Sequence, residues 1–216
     1  MITSYKNIWE FLRIDFPLTF KNSLLLAIVY TFLIPVIRGI SNLDAVHSAD
    51  VFGQSLALIG VFLFVPIASQ ELESGIKEIV YTKVWPYRKS VSIRLICGFL
   101  LITVLVTIFA CIMQLKNCNF PFLEYISVTI LYAVFLGLLG LLFSQVGNNV
   151  IVGYLASLGY WSFCQFHILT EGNLMYLFPI VSGTVYMEKL LILVGMNVLL
   201  LGLFFFTVKC SKKKVN

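Results

Sequence analysis

Six stretches of this chain run for about twenty residues each with no Asp, Glu or Lys in their middle. They are Asn22 to Ile40, Val51 to Ala68, Leu95 to Met113, Leu123 to Phe143, Val150 to Ile168 and Leu190 to Val208. Roughly 20 apolar residues of helix are what a bilayer core requires. A soluble domain would carry about twice the charged fraction, which here is 12%. The stretches do not alternate apolar and polar residues, so a transmembrane barrel is not indicated. The sequence therefore predicts an all-α membrane protein of six transmembrane helices. It forms a single domain over residues 1–216, with no room for a soluble one.

The remaining charge is unevenly placed, and that gives an orientation. Lys6 and Arg13 precede the first run. Lys77, Lys83, Arg88, Lys89 and Arg94 lie between the second and third, and Lys209 and Lys212 to Lys214 follow the sixth. The intervening loops hold only Arg38, Lys116 and Lys189, beside Asp44, Asp50, Glu124, Glu171 and Glu188. Basic residues mark the cytoplasmic side, so both termini are expected there, in a bacterial cell membrane. Basic clusters of this kind answer to orientation and anionic lipid rather than to nucleic acid.

Between the runs, short segments carry their own patterns. Ile2, Tyr5, Ile8, Trp9, Leu12 and Phe16 recur at helical spacing. Residues 1–17 thus predict an amphipathic helix lying in the membrane interface, broken by Pro17. Ser41 to Asp50 is expected to be a short polar external loop, with His47 a solvated residue in it. Ala133 and Gly137, Gly140 and Ser144, and Gly153 and Ser157 are small residues four apart, which let helices approach closely, within one subunit or between two. Gln145 to Asn149 is so short that the fourth and fifth runs must form a tight hairpin. Residues 169–189 are too apolar for a free loop and too interrupted, by Gly172, Pro179 and Gly183, for another span. They predict short re-entrant helices at the outer face. No cleaved signal peptide is expected, because no small-residue cleavage site follows the N-terminal stretch.

Catalytic chemistry finds few candidates. The two histidines, His47 and His167, fall on different segments, and no HExxH or GxSxG occurs. The five cysteines are scattered without a CxxC, and read as small apolar fillers. A GxxxxGK[ST] phosphate loop is absent, so this chain is not expected to bind ATP itself. No metal site and no cofactor are expected in it.

The most distinctive segment is the charged island from Ser69 to Arg94, SQELESGIKEIVYTKVWPYRKSVSIR. Glu73 and Lys77 are four apart, which supports a short helix. Ile76, Ile79 and Val80 give that helix an apolar side, and Pro86 ends it. The order of elements is Glu71 and Glu73, then Ser74-Gly75, then Glu78-Ile79-Val80, then Pro86-Tyr87-Arg88-Lys89, then Arg94. In this order and position the segment resembles the one after the second span of ABC-2 type transporter permeases. It departs from the common pattern at Ile76, where Thr often follows Gly, and at Tyr87, where Ser often precedes Arg.

The resemblance implies an N-terminal elbow helix, re-entrant helices before the last span, and a cytoplasmic coupling segment over residues 71–88. Glu71, Glu73, Gly75, Lys77, Glu78, Pro86 and Arg88 would form that segment and engage a separate ABC ATPase subunit. Two such ATPases would bind the ATP and Mg, and a second permease subunit, identical or a sister, would complete the transporter. The substrate path would run between subunits near the first, second and fifth spans, with Gln54, Ser55, Ser157, Trp161 and Gln165 as candidate lining groups. The same residues can equally serve as internal packing. The apolar spans suit an amphipathic or hydrophobic cargo. An exported peptide or bacteriocin, or a drug, is the first expectation, with lipid or polysaccharide as alternatives. A non-transporting scaffold or sensor subunit and an intramembrane enzyme are the competing classes.

Overall fold

The computed structural model describes residues 2–68, 87–166, 176, 178, 180–181 and 184–213. Helix α1 spans Ile2–Arg38. A composite helix follows: α2 (Ala45–Asp50), a π-helical turn (Val51–Ser55), a 3₁₀ turn (Leu56–Leu58), α3 (Ile59–Phe64) and a second 3₁₀ turn (Val65–Ala68). Then come α4 (Tyr87–Leu115), α5 (Phe122–Gly147), α6 (Val150–Gln165) and α7 (Met187–Lys213). One two-residue antiparallel pair, β1 (Ile180–Val181) with β2 (Thr184–Val185), precedes α7.

Five of these helices are long and apolar enough to cross a membrane: Asp15–Arg38, Ala45–Ile67, Arg88–Leu115, Phe122–Gly147 and Met187–Lys209. This is the character of a multi-pass membrane protein. The fifth apolar run, Val150 to Ile168, is shorter as a helix than the sequence suggests. α6 has 16 residues, or about 24 Å of rise against a hydrocarbon core of about 30 Å.

Burial sorts the helices into a centre and a shell. The composite helix and α5 are mostly buried, whereas α1, α4 and α7 turn apolar faces outward, among them Phe32 and Val36, Ile96 and Leu100, and Leu191 and Val198. Small residues bring the central pair together. A methyl group at Gly60 would collide with the Ala133 carbonyl oxygen, and one at Gly137 would lie 2.6 Å from the Gly60 oxygen. A methyl at Gly140 would strike the Ser157 hydroxyl, and one at Gly153 the Gly140 carbonyl. The Ala133, Gly137, Gly140 and Gly153 positions are thus used inside the chain, where lipid offers helices little reason to associate except close contact.

Backbone bonds gather the connections at two ends. At one, Asn42 N–H donates to Lys116 O (3.0 Å) and Asn119 N–H to Leu43 O (2.9 Å). At the other lie Asp15, Ile67 and Arg94. The α5–α6 hairpin is as tight as expected. Asn148 adopts a left-handed conformation (φ 48°), which Asn tolerates better than most residues. Asn149 caps α6, its side chain accepting from the Ile151 N–H.

Four expectations need correction. The N-terminal helix does not break at Pro17; α1 runs through it and through Pro35. Pro17 removes one helical donor, but buried contacts fix the helix on both sides: Asp15 before it, and Phe20, whose ring lies 5.3 Å from that of Phe16, after it. The first membrane helix accordingly begins at Asp15, not Asn22. The loop after the first run is shorter than Ser41 to Asp50, because Asp44 caps α2 by accepting from the His47 N–H at 2.9 Å. Finally, Ile180–Val181 and Thr184–Val185 form a strand pair within the stretch where re-entrant helix was expected. Residues 167–175, 177, 179, 182 and 183 lie outside the described residues, as do 69–86.

Candidate functional site

The π-helical turn at Val51–Ser55 organises the first polar cluster. Such turns inside helices are rare and frequently occur at functional sites. Here hydrogen-bond spacing shifts from i−4 to i−5, with Leu56 N–H donating to Val51 O, and then to i−3, with Ile59 N–H donating to Leu56 O. Irregular backbone at membrane depth needs outside partners, and the neighbouring helices supply them. The Trp161 indole N–H, from α6, donates to the Gln54 carbonyl at 2.7 Å. The Tyr30 hydroxyl, from α1, donates to the Ser55 carbonyl at 2.9 Å.

The Gln54 side chain is the hub. Its Oε1 accepts from Arg38 (2.9 Å) and from Gln165 Nε2 (2.9 Å), while its Nε2 donates to Asp50 Oδ1 at 3.2 Å. Gln54, Trp161 and Gln165 therefore meet, joining α6 to the composite helix, with Arg38 reaching in from α1. Gln54 and Gln165 are half-buried, and the Gln165 Oε1 atom is buried without a hydrogen-bond partner. Neutral amides flanked by one cation and one carboxylate can exchange partners with an amide-bearing ligand at little electrostatic cost. Ser157 does not join them. It is fully buried and donates to the Leu136 carbonyl of α5 at 2.8 Å, so it packs internally.

At the opposite end lies a pair that sequence reading missed. Arg94 Nε donates to Asp15 Oδ2 at 2.7 Å and its Nη2 to Oδ1 at 2.6 Å. Both residues are buried, Arg94 at 6% and Asp15 at 9% exposure. Arg94 Nη1 also lies 3.4 Å from the Ile67 carbonyl, and the Thr19 hydroxyl 3.4 Å from Asp15 Oδ2. This is the two-bond fork geometry that suits Arg to carboxylates. It ties together α1, the end of the composite helix and the start of α4. The signal was present in part. Arg94 stood out as the basic residue opening the third run, but its partner is 79 residues away in a segment read only as amphipathic.

Of the proposed coupling residues, Arg88 is in the first turn of α4, exposed, with Nη2 3.4 Å from the Phe205 carbonyl of α7. Glu71, Glu73, Gly75, Lys77, Glu78 and Pro86 lie outside the described residues. His47 is solvent-exposed, with Nδ1 2.6 Å from Asp44 Oδ1. The Asp44 carboxyl is held below its ordinary range, first by the His47 backbone N–H and then by the His47 ring. No protein-family model matches this chain, and no curated protein or solved structure shows significant similarity to it.

Proposed function

We propose that this chain is the permease subunit of an ABC-2 type exporter, working with two copies of a separate ATPase and a second permease subunit. The observation that carries the reading is the stretch of residues 69–94, where eight charged side chains gather between the composite helix and the apolar body of α4. Such a segment suits contact with a soluble partner. Its stems support the role: Arg94 on one side donates both to the Ile67 carbonyl on the other and to Asp15 of α1, so a load on the segment reaches α1 and α4 together.

In this reading the chain crosses the membrane six times, with α6 as the fifth, short span and both termini cytoplasmic. Residues 71–88 couple to the ATPase through Glu71, Glu73 and Glu78. The cargo is amphipathic or hydrophobic, a peptide or drug, and passes the face where Gln54, Trp161 and Gln165 meet. That cluster supplies exchangeable hydrogen bonds on an otherwise apolar surface.

The test is copurification from native membranes in mild detergent. A P-loop ATPase should accompany the tagged chain, and Glu71→Ala/Glu73→Ala/Glu78→Ala should lose it while still inserting. Loss of coupled export in the same variant is the functional counterpart. Recovery of the intact chain with no ATPase would return it to the scaffold or sensor class.

A further inference from the structure

The groove between α1 and α4 at the Arg94 end has a composition that points to a ligand. Leu12, Arg13, Phe16 and Pro17 of α1 and Cys97 of α4 line an open groove of about 320 Å³. Apart from Arg13 the lining is apolar among the described residues. The groove sits beside Asp15, where the apolar stretch of α1 begins; with the membrane boundary taken there, its apolar part meets hydrocarbon and Arg13 the headgroup layer. Arg13 and Lys21 are both exposed. Lys21 follows two four-residue steps beyond Arg13, about 80° further around α1. Asp15, the nearest described carboxylate in sequence, is committed to Arg94. Lys21 lies about 12 Å along the axis from Arg13, and a lysine stem can carry its ammonium back toward the headgroups.

We propose that this groove binds one anionic phospholipid, its acyl chain against Phe16, Pro17 and Cys97 and its phosphate held by Arg13, with Lys21 adding attraction. The charge decides the headgroup class. Two cations facing the lipid favour a net negative headgroup over a zwitterionic one, by about fivefold per basic residue near the surface. The buried Arg94 takes no part, being occupied by Asp15 and the Ile67 carbonyl.

The experiment is native mass spectrometry of the full chain, released from nanodiscs holding equal phosphatidylglycerol and phosphatidylcholine with identical acyl chains. Wild type should hold one phosphatidylglycerol most tightly, and Arg13→Gln/Lys21→Gln should bring that most tightly held lipid close to parity between the two headgroups. Both side chains are exposed, so the variant should fold. Lys116→Gln, at the other end of the molecule, should keep the preference. Cys97→Phe, which fills the groove, should lower retention with both cations intact. Parity in wild type, a preference that survives Arg13→Gln/Lys21→Gln, or retention unaffected by Cys97→Phe would each overturn the proposal.

Discussion

The two polar clusters of this molecule solve the same problem in opposite ways. At one end, Asp15 and Arg94 oppose full charges at close range in a buried setting, with two parallel bonds. At the other, Gln54 links Arg38, Asp50 and Gln165 through a half-exposed amide. The first arrangement is costly to break, because either partner alone would be a charge without its counter-charge in low dielectric. The second centres its bonds on a neutral amide, whose exposed partners Arg38 and Asp50 and half-buried partner Gln165 can be replaced by water or another amide. Fixed geometry is therefore concentrated at the Asp15 end, and exchangeable contact at the Gln54 end.

The sharpest way to break this contrast is Asp15→Ala. It leaves the Arg94 guanidinium without its carboxylate and should cost about 3–5 kcal/mol, measured by unfolding in mixed micelles. Asp15→Asn/Arg94→Gln, which removes both charges, should regain most of that. If Asp15→Ala costs no more than an exposed substitution, the pair is hydrated and the contrast fails. At the other end the effects should be smaller. Gln54→Ala should cost about 1 kcal/mol, and Trp161→Phe about 0.6 kcal/mol, the usual worth of a hydrogen bond between membrane helices. A double-mutant cycle should show coupling between Gln54 and Gln165 and none between Gln54 and Ser157.

The smallest effect concerns the exposed Asp44 cap. Its folded carboxyl titrates below the ordinary value of 3.8, chiefly because it accepts from the His47 N–H. The sign follows: the cap's contribution is complete above that ordinary value and is lost as pH falls through the lower folded one. The Asp44 side-chain carboxyl resonance should therefore show its own titration centred below pH 3.8. A shift centred higher would mean that the cap does not form.

What could be read in advance follows from what the bilayer imposes. Long apolar runs are compositional, so Leu95 to Met113 and Leu190 to Val208 reappear within α4 and α7. The tight α5–α6 hairpin was visible because five residues leave no alternative. Pairings set by three-dimensional packing were not visible. Asp15 carries no local mark of its partner, and nothing in Val-Phe-Gly-Gln-Ser announces a π-helical turn. Residues 157, 161 and 165 illustrate the middle case. Their spacing predicted one face, but four residues advance a helix by about 40° beyond a full turn. Across two such steps Ser157 swings to α5 while Trp161 and Gln165 reach Gln54. The coupling residues from Glu71 to Pro86 lie outside the described residues.

Arg94 also touches the carbonyl of Ile67, and the meaning of that contact is statistical as much as structural. It joins the two ends of an intervening chain of roughly 26 residues, whose closure costs on the order of 3 kcal/mol of loop entropy. That cost is met when the membrane helices pack, before anything engages the residues between. Whatever engages those residues meets a stretch of chain whose two ends are already fixed relative to one another.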